Sequence, residues 1–132
     1  MKRTLATALL LTACAAAQNS DTPKPEIAQA IQGARHVRDY MKDPESFRVN
    51  LVTVVQDKKG RNRVCIALRS KNGFGGYVDG FAVYHPESDK AWDGRANYES
   101  ECMNGVFNQT LKTGVDATDA VKAALKADRE KE

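Results

Sequence analysis

The sequence predicts an α+β domain: an N-terminal helix packed on a three-stranded antiparallel meander, followed by a C-terminal helix. Residues 26–42 carry apolar side chains at helical spacing, and residues 116–129 return to that spacing. Between residues 47 and 84, three runs favour strands, and short turn-forming segments separate them. This order of elements is typical of hairpins covered by helices.

The first 13 residues resemble a lipoprotein signal peptide. A basic start, Met1-Lys2-Arg3, precedes an apolar run over residues 4–13 that is too short to span a bilayer as a helix. The run leads into Leu11-Thr12-Ala13-Cys14, which resembles the bacterial lipobox. We therefore expect cleavage before Cys14 and acylation of its sulfur and new amine, which anchors the protein to a membrane.

The leader leaves two locations open. Ala15 stands where inner-membrane lipoproteins of enterobacteria carry Asp, so the sequence favours an outer-membrane lipoprotein facing the periplasm. The alternative is a secretory signal cut after Ala17, which releases a soluble periplasmic or secreted protein. In the first case residues 14–25 form a polar tether, and residues 26–132 form a single domain.

The charge balance argues against a nucleic-acid partner. The full chain has a net charge of +3, and loss of Lys2 and Arg3 with the leader lowers it to +1. The expected partners are the membrane, through the lipid, and an envelope protein or glycan.

Residues 26–42 are predicted to form the first helix. Their apolar side chains share one stripe: Ile27, Ala30, Ile31, Ala34, Val37 and Met41. Thr22 or Asp21 is the expected cap, and Asp43-Pro44 ends the helix. His36 lies on the polar side, so we expect a solvated surface histidine, with a metal-binding or acid–base role as the alternative.

Three strands are predicted, over residues 47–56, 62–70 and 77–84. In the first, strict alternation places Val49, Leu51, Thr53 and Val55 on one face. Residues 57–60 predict a type I-like turn, and the glycine-rich residues 71–76 predict a tight or bulged connection. Apolar residues on both faces near Cys65 indicate a central strand.

Residues 86–114 give a weaker pattern. Their apolar residues are scattered in a polar background, so we expect irregular structure with a short helix before Asn104-Gly105. Residues 116–129 are predicted to form the second helix, capped by Asp116 or Thr118.

The predicted hairpin resembles a family of small, uncharacterised bacterial exported proteins and lipoproteins. The match consists of Asp43-Pro44-x-Ser46-Phe47, Val64-Cys65, the turn Lys71-Asn72-Gly73-Phe74-Gly75-Gly76-Tyr77, Gly80-Phe81 and a later cysteine. It covers roughly residues 40–102, but Ile66 stands where the family usually has glycine, and Asp79 precedes Gly80. The family has no assigned function, so the resemblance implies a fold and an exported location and no chemistry.

The chain contains three cysteines. Cys14 belongs to the lipobox, which leaves Cys65 and Cys102 as an even pair in an exported domain, where thiols are normally oxidised. We expect a disulfide between them, and the alternative is two free buried thiols. No CxxC pair or histidine cluster accompanies them, so neither a metal nor a cofactor is predicted.

The sequence assigns no catalytic residue. His85, Ser88 and Asp89 together supply the residue types of a hydrolase, so a small periplasmic hydrolase using His85 is the alternative function. Their spacing matches no nucleophile elbow. Glu99 and Glu101 diverge on the expected short helix, which disfavours paired-carboxylate chemistry.

The glycine-rich turn carries the candidate binding site. Lys71, Asn72, Phe74 and Tyr77 combine a cation, an amide and two aromatic rings, which suits a peptide, a glycan or another envelope protein. In the alternative, Asn72 only satisfies turn geometry while Phe74 and Tyr77 fold back into the core. The predicted function is a membrane-anchored binding module of unassigned activity, more an interaction protein than an enzyme.

Overall fold

The computed structural model describes residues 23–103 and 114–132. Helix α1 (Pro25–Asp39) leads through a 3₁₀ turn (Pro44–Ser46) into strands β1 (Arg48–Gln56), β2 (Asn62–Lys71), β3 (Tyr77–His85) and β4 (Lys90–Asp93). These are followed by a short helix α2 (Arg95–Tyr98), a π-helical turn (Glu99–Met103), strand β5 (Val115–Asp116) and helix α3 (Thr118–Arg129). The predicted signal peptide, Cys14 and most of the tether lie outside the described residues.

The α+β class is confirmed, but the prediction of a three-stranded sheet is wrong. The sheet has five antiparallel strands in the order β4-β3-β2-β1-β5, so β2 is central, as its apolar residues predict. The pattern misses β4 because Lys90–Asp93 is a short edge strand of mixed polarity. It misses β5 because only two residues pair with β1.

A β-bulge in β1 decides which of its apolar side chains reach the main core. The register shifts between Val49 and Leu51. Val49 therefore packs with Val52 under the helices and is 5% exposed, whereas Leu51 is 43% exposed. The prediction that Val49 and Leu51 share a face is wrong, because a bulge interrupts the alternation on which it rests.

Helix α1 follows the predicted apolar stripe. Pro25 occupies the first turn, where an N–H has no intrahelical partner, and the N-cap is Lys24 rather than Thr22 or Asp21. The helix ends at Asp39 rather than at residue 42. Small side chains dominate its buried face, which consists of Ala30, Gly33, Ala34 and Val37.

Gly33 lets α1 lie close against the sheet. A Cβ atom added to Gly33 would stand 2.6 Å from Cδ1 of Tyr84, and the Tyr84 side chain is fully buried. Neither the helix backbone nor the tyrosine ring has room to move away, because both belong to the main core.

Gly33→Ala is therefore expected to lower the free energy of unfolding by about 2 kcal/mol through overpacking, although alanine favours an isolated helix over glycine by about 1 kcal/mol. Urea unfolding measures the change. Ala28→Gly, at an exposed position of the same helix, is the matched control for helix propensity alone. A Gly33→Ala protein as stable as wild type would contradict the close approach to Tyr84.

The helices cover one face of the sheet, and the chain after β4 covers part of the other. Helices α1 and α3 pack on the face that carries Val52, Val54, Val64, Ile66 and Tyr84. On the opposite face, Val55, Cys65 and Val83 cluster with Cys102 and Tyr98. A disulfide joins Cys65 to Cys102, with Cα atoms 6.0 Å apart, which is the pairing that the cysteine count predicts. The bond attaches the π-helical turn to the central strand.

An ion-pair cluster joins α1 to α3. The Arg35 guanidinium donates two hydrogen bonds of 2.8 Å to the Asp128 carboxylate, and Arg38 Nη1 donates a third at 3.0 Å. Hydrogen bonding from Arg35 is the main cause that lowers the pKa of Asp128 to about 2, and Arg38 adds to it against the opposing effect of burial.

This cluster predicts an acid-sensitive contribution to stability. Because folding lowers the pKa of Asp128, its contribution is present above about pH 4 and is lost as the pH falls toward about pH 2. We expect Asp128→Asn to be less stable than wild type at neutral pH and to lose less stability over that acid range. Urea unfolding at a series of pH values measures both, with the exposed Asp119→Asn as control. Parallel acid profiles for wild type and Asp128→Asn would contradict the prediction.

Candidate functional site

The β1–β2 and β2–β3 hairpins share one turn geometry. The turns span residues 57–61 and 72–76, and in each the N–H of the first residue donates to the carbonyl of the last. The distance is 2.9 Å from Asp57 to Arg61 and 2.8 Å from Asn72 to Gly76. In both turns the fourth residue is a glycine with positive φ, 75° at Gly60 and 81° at Gly75. This is a type I turn followed by a bulge, in which glycine adopts the left-handed conformation without strain.

A side chain at the first position caps each turn. Asn72 Oδ1 accepts the N–H of Phe74 at 3.0 Å and that of Gly76 at 3.1 Å. Asp57 Oδ1 does the same in the other hairpin, at 2.9 Å from both donors. The amide oxygen of Asn72 is therefore used by the turn, as predicted by the alternative in which Asn72 only satisfies turn geometry.

The geometry of the turn does not require the aromatic ring of Phe74. Phe74 occupies the position that Lys59 has in the other hairpin, and it is 100% exposed. A fully exposed ring gains no stability from burial, whereas lysine is an ordinary solvent-facing residue at such a position. The alternative in which Phe74 folds back into the core is therefore wrong.

Lys71 and Tyr77 flank the turn on the adjoining strands. Tyr77 is 47% exposed, and the centroid of its ring lies 5.6 Å from Lys71 Nζ and 5.4 Å from Arg69 Cζ. We call Lys71, Phe74 and Tyr77 the β2–β3 tip. Aromatic faces beside positive charge suit a partner that offers an apolar pocket next to anionic or polar groups.

The segment before β1 holds the base of the tip. Ser46 Oγ accepts the Lys71 N–H at 2.9 Å and donates to the Asp43 carbonyl at 2.8 Å. The next side chain, Phe47, is 1% exposed and belongs to the main core. Two parts of the sequence pattern, residues 43–47 and residues 71–77, thus meet in space.

The tip lies at the end of the domain away from the start of α1. Gln29, near that start, accepts a hydrogen bond of 2.7 Å from Asn62, at the beginning of β2. Met41, beyond the end of α1, lines a cavity with Leu68 and Val78, close to the tip. Helix α1 therefore runs along the sheet, and the chain enters it at the end opposite to the tip.

The structure does not bring His85 together with Asp89. His85 Nε2 lies 2.6 Å from Glu101 Oε2, and the His85 ring packs against Trp92 with centroids 4.4 Å apart. Asp89 instead accepts a hydrogen bond of 2.6 Å from the hydroxyl of Tyr84, which belongs to the helix-covered core. Burial, with the Asp89 contact as the second cause, raises the pKa of Tyr84. Tyr84 and His85 are consecutive in β3 and face opposite sides of the sheet.

Arg63 organises the cluster around His85, and no sequence pattern predicts this role. Its side chain is 5% exposed and contacts three carboxylates, with Asp57 at 3.1 Å, Glu87 at 2.8 Å and Glu101 at 3.4 Å. Burial alone would raise the pKa of Glu87, but hydrogen bonding and the Arg63 charge outweigh it and lower that pKa. Nothing in the local pattern distinguishes Arg63 from a solvent-facing strand arginine.

The prediction of a solvated His36 is wrong. Its side chain is 20% exposed, and its ring lies between those of Tyr40 and Tyr84, at centroid distances of 5.0 Å and 5.4 Å. Glu99 pairs with Arg95 while Glu101 faces His85, so these two carboxylates diverge as expected. Within residues 23–103 and 114–132, no three His, Cys, Asp or Glu side chains are grouped to hold a metal ion.

Comparison of the chain with protein-family models, curated proteins and solved structures finds no match. In the described part of the chain, no helix combines the length and apolar character that crossing a bilayer requires. The leader sequence and the geometry of the β2–β3 tip are therefore the features of the chain that bear on its function.

Proposed function

We propose that this protein is a membrane-anchored interaction module of the bacterial envelope, which binds a partner protein or glycan through the β2–β3 tip. The anchor rests on the lipobox-like sequence that ends in Cys14. The binding role rests on one observation: two hairpins share a turn geometry, and one presents Lys59 where the other presents a fully exposed phenylalanine. An apolar ring that folding does not use is a candidate anchor residue for a partner.

The direction of the tip supports this role. The tether would join the domain at the start of α1, which lies at the end opposite to the tip. Residues 14–24 span at most roughly 3.5 Å each when extended. Attachment at that end leaves the β2–β3 tip accessible to a partner.

A photo-crosslinking residue placed at position 74 tests the proposal in the organism that makes the protein. We expect it to capture a discrete envelope partner, whereas the same residue at position 59 captures none. Position 59 is the matched control because the two hairpins share one turn geometry. Equal capture at both positions would contradict a specific role for the β2–β3 tip.

Two variants separate the parts of the proposal. Phe74→Lys should abolish binding to the captured partner and change the free energy of unfolding by less than about 0.5 kcal/mol, because the ring is exposed. Unfolding of Phe74→Lys would show that the ring is structural. Cys14→Ser should move the protein from the membrane fraction to the soluble fraction, and a protein that stays in the membrane fraction would contradict the anchor.

A further inference from the structure

The outer edge of β4 carries backbone groups that no described strand pairs with. Strand β4 is at the end of the sheet order, and its described partner is β3. The Gly94 N–H donates to the Phe81 carbonyl at 2.8 Å, so residues 92 and 94 turn their backbone groups toward β3. Because antiparallel ladders alternate, the N–H and C=O groups of Ala91 and Asp93 point away from β3. The Asp93 carbonyl accepts a hydrogen bond of 3.0 Å from Asn97 Nδ2, which leaves the Ala91 groups and the Asp93 N–H for a further strand.

A cavity of about 620 Å³ lies beside this edge, between β4 and the C-terminal half of α1. Its lining includes His36, Val37, Tyr40, Met41, Ala82 and Asp93. Val37 and Ala82 are buried, whereas Tyr40 is 80% exposed. The cavity therefore combines apolar surface and an open aromatic ring with the outward-facing backbone of an edge strand.

The lining of the cavity includes two carboxylates, of Asp89 and Asp93, against one lysine, Lys90. Asp93 is opposite Ala82 in the strand register, which places it on the helix-covered side. Among the described residues, no lysine, arginine or histidine forms an ion pair with its carboxylate; the nearby Arg95 pairs with Glu99. Lys90 also lines the cavity, but it is opposite His85 in the strand register, three residues from Asp93, and no ion pair joins the two side chains. The group that complements Asp93 is a cation.

We propose that an extended segment of a partner protein binds along the outer edge of β4 as an additional strand and places a lysine or arginine side chain in the cavity beside Asp93. Main-chain hydrogen bonds to the N–H and C=O of Ala91 and to the N–H of Asp93 would supply affinity, and the cavity would select the side chain, as in other cases of strand addition. Lys90 and Asp93 disfavour pairing of β4 with a strand that carries no complementary charges, so the edge selects among partner strands. This site is separate from the β2–β3 tip and does not depend on the lipid anchor.

The probe is a peptide selected from a displayed random library against the immobilised full-length protein. We expect the selected peptides to share strand-forming residues around a lysine or arginine. Fluorescence anisotropy should show that Asp93→Asn weakens binding about tenfold, as loss of a charge-assisted contact predicts. The control Asp119→Asn removes an exposed carboxylate from α3 and should bind as wild type does.

Hydrogen exchange tests the strand addition independently of any substitution. In the free protein the amides of Ala91 and Asp93 should exchange fast and that of Trp92 slowly, and the peptide should slow the first two. Ala91→Pro removes an outward N–H without removing a bond to β3, and it should abolish binding. The proposal is overturned if no peptide is selected or if Ala91→Pro binds normally. It is also overturned if Ala91 and Asp93 are already protected in the free protein, since another segment or a second copy would then occupy the edge.

Discussion

Reduction of the Cys65–Cys102 disulfide is expected to lower the free energy of unfolding by about 4 kcal/mol. The two residues are 37 positions apart, and a cross-link that closes a loop of this size restricts the unfolded chain by about that amount on the chain-entropy estimate. The native state also depends on the bond locally, because the short α2 helix and the π-helical turn have few buried side chains of their own. Reduction should therefore release this segment from β2.

Urea unfolding with and without reductant measures the effect. The single tryptophan, Trp92, packs on His85 beside this segment, and its fluorescence reports local release. The Cys65→Ala/Cys102→Ala variant is the control, since its unfolding should not respond to reductant. If reductant leaves the wild-type midpoint unchanged, the disulfide contributes nothing to stability.

Arg63→Ala is expected to lower the free energy of unfolding by about 3 kcal/mol, which is the second-largest effect that we expect. Removing one partner of a buried ion pair leaves uncompensated charge, which costs about 3–5 kcal/mol when the remaining groups are fully buried. We expect a loss of stability at the lower end of this range, because the side chains of Glu87 and Glu101 are 40% and 32% exposed and therefore partly hydrated.

Arg61→Ala provides the comparison. Arg61 also pairs with Asp57, at 2.8 Å, but its side chain is 47% exposed, so we expect a cost below about 1 kcal/mol. Both variants lose an arginine and a contact to the same carboxylate, and they differ in burial. Equal losses of stability in urea unfolding would show that the buried position of Arg63 carries no special weight.

Much of the fold could be predicted from short stretches of sequence. Spacing of apolar residues predicts α1, α3 and the three middle strands, and turn chemistry predicts both hairpin connections. Strand β4 escaped prediction because its residues become a strand only by pairing with β3. The bulge between Val49 and Leu51 escaped for a related reason, since packing against the sheet decides it.

The candidate site was predicted in part. The residues of the β2–β3 tip were identified from the sequence, but two opposite orientations of Phe74 remained open until the turn geometry was known. Asn72 contributes turn capping rather than a free amide oxygen. The charge beside β4 could not be predicted, because it depends on the register that brings Asp93 opposite Ala82.

The sequence by itself determined the α+β class, the order of the main helices and strands, and the pairing of Cys65 with Cys102. The class and the order of elements depend on side-chain periodicity and turn residues, which act within short segments. The disulfide follows from the number of cysteines left once Cys14 is assigned to the lipobox. Tertiary structure alone decided the close contact of Gly33 with Tyr84, the burial of Arg63 among carboxylates and the cavity beside Asp93. Each of these joins residues from different elements of the chain, and their energies depend on distance and burial, which no local pattern specifies.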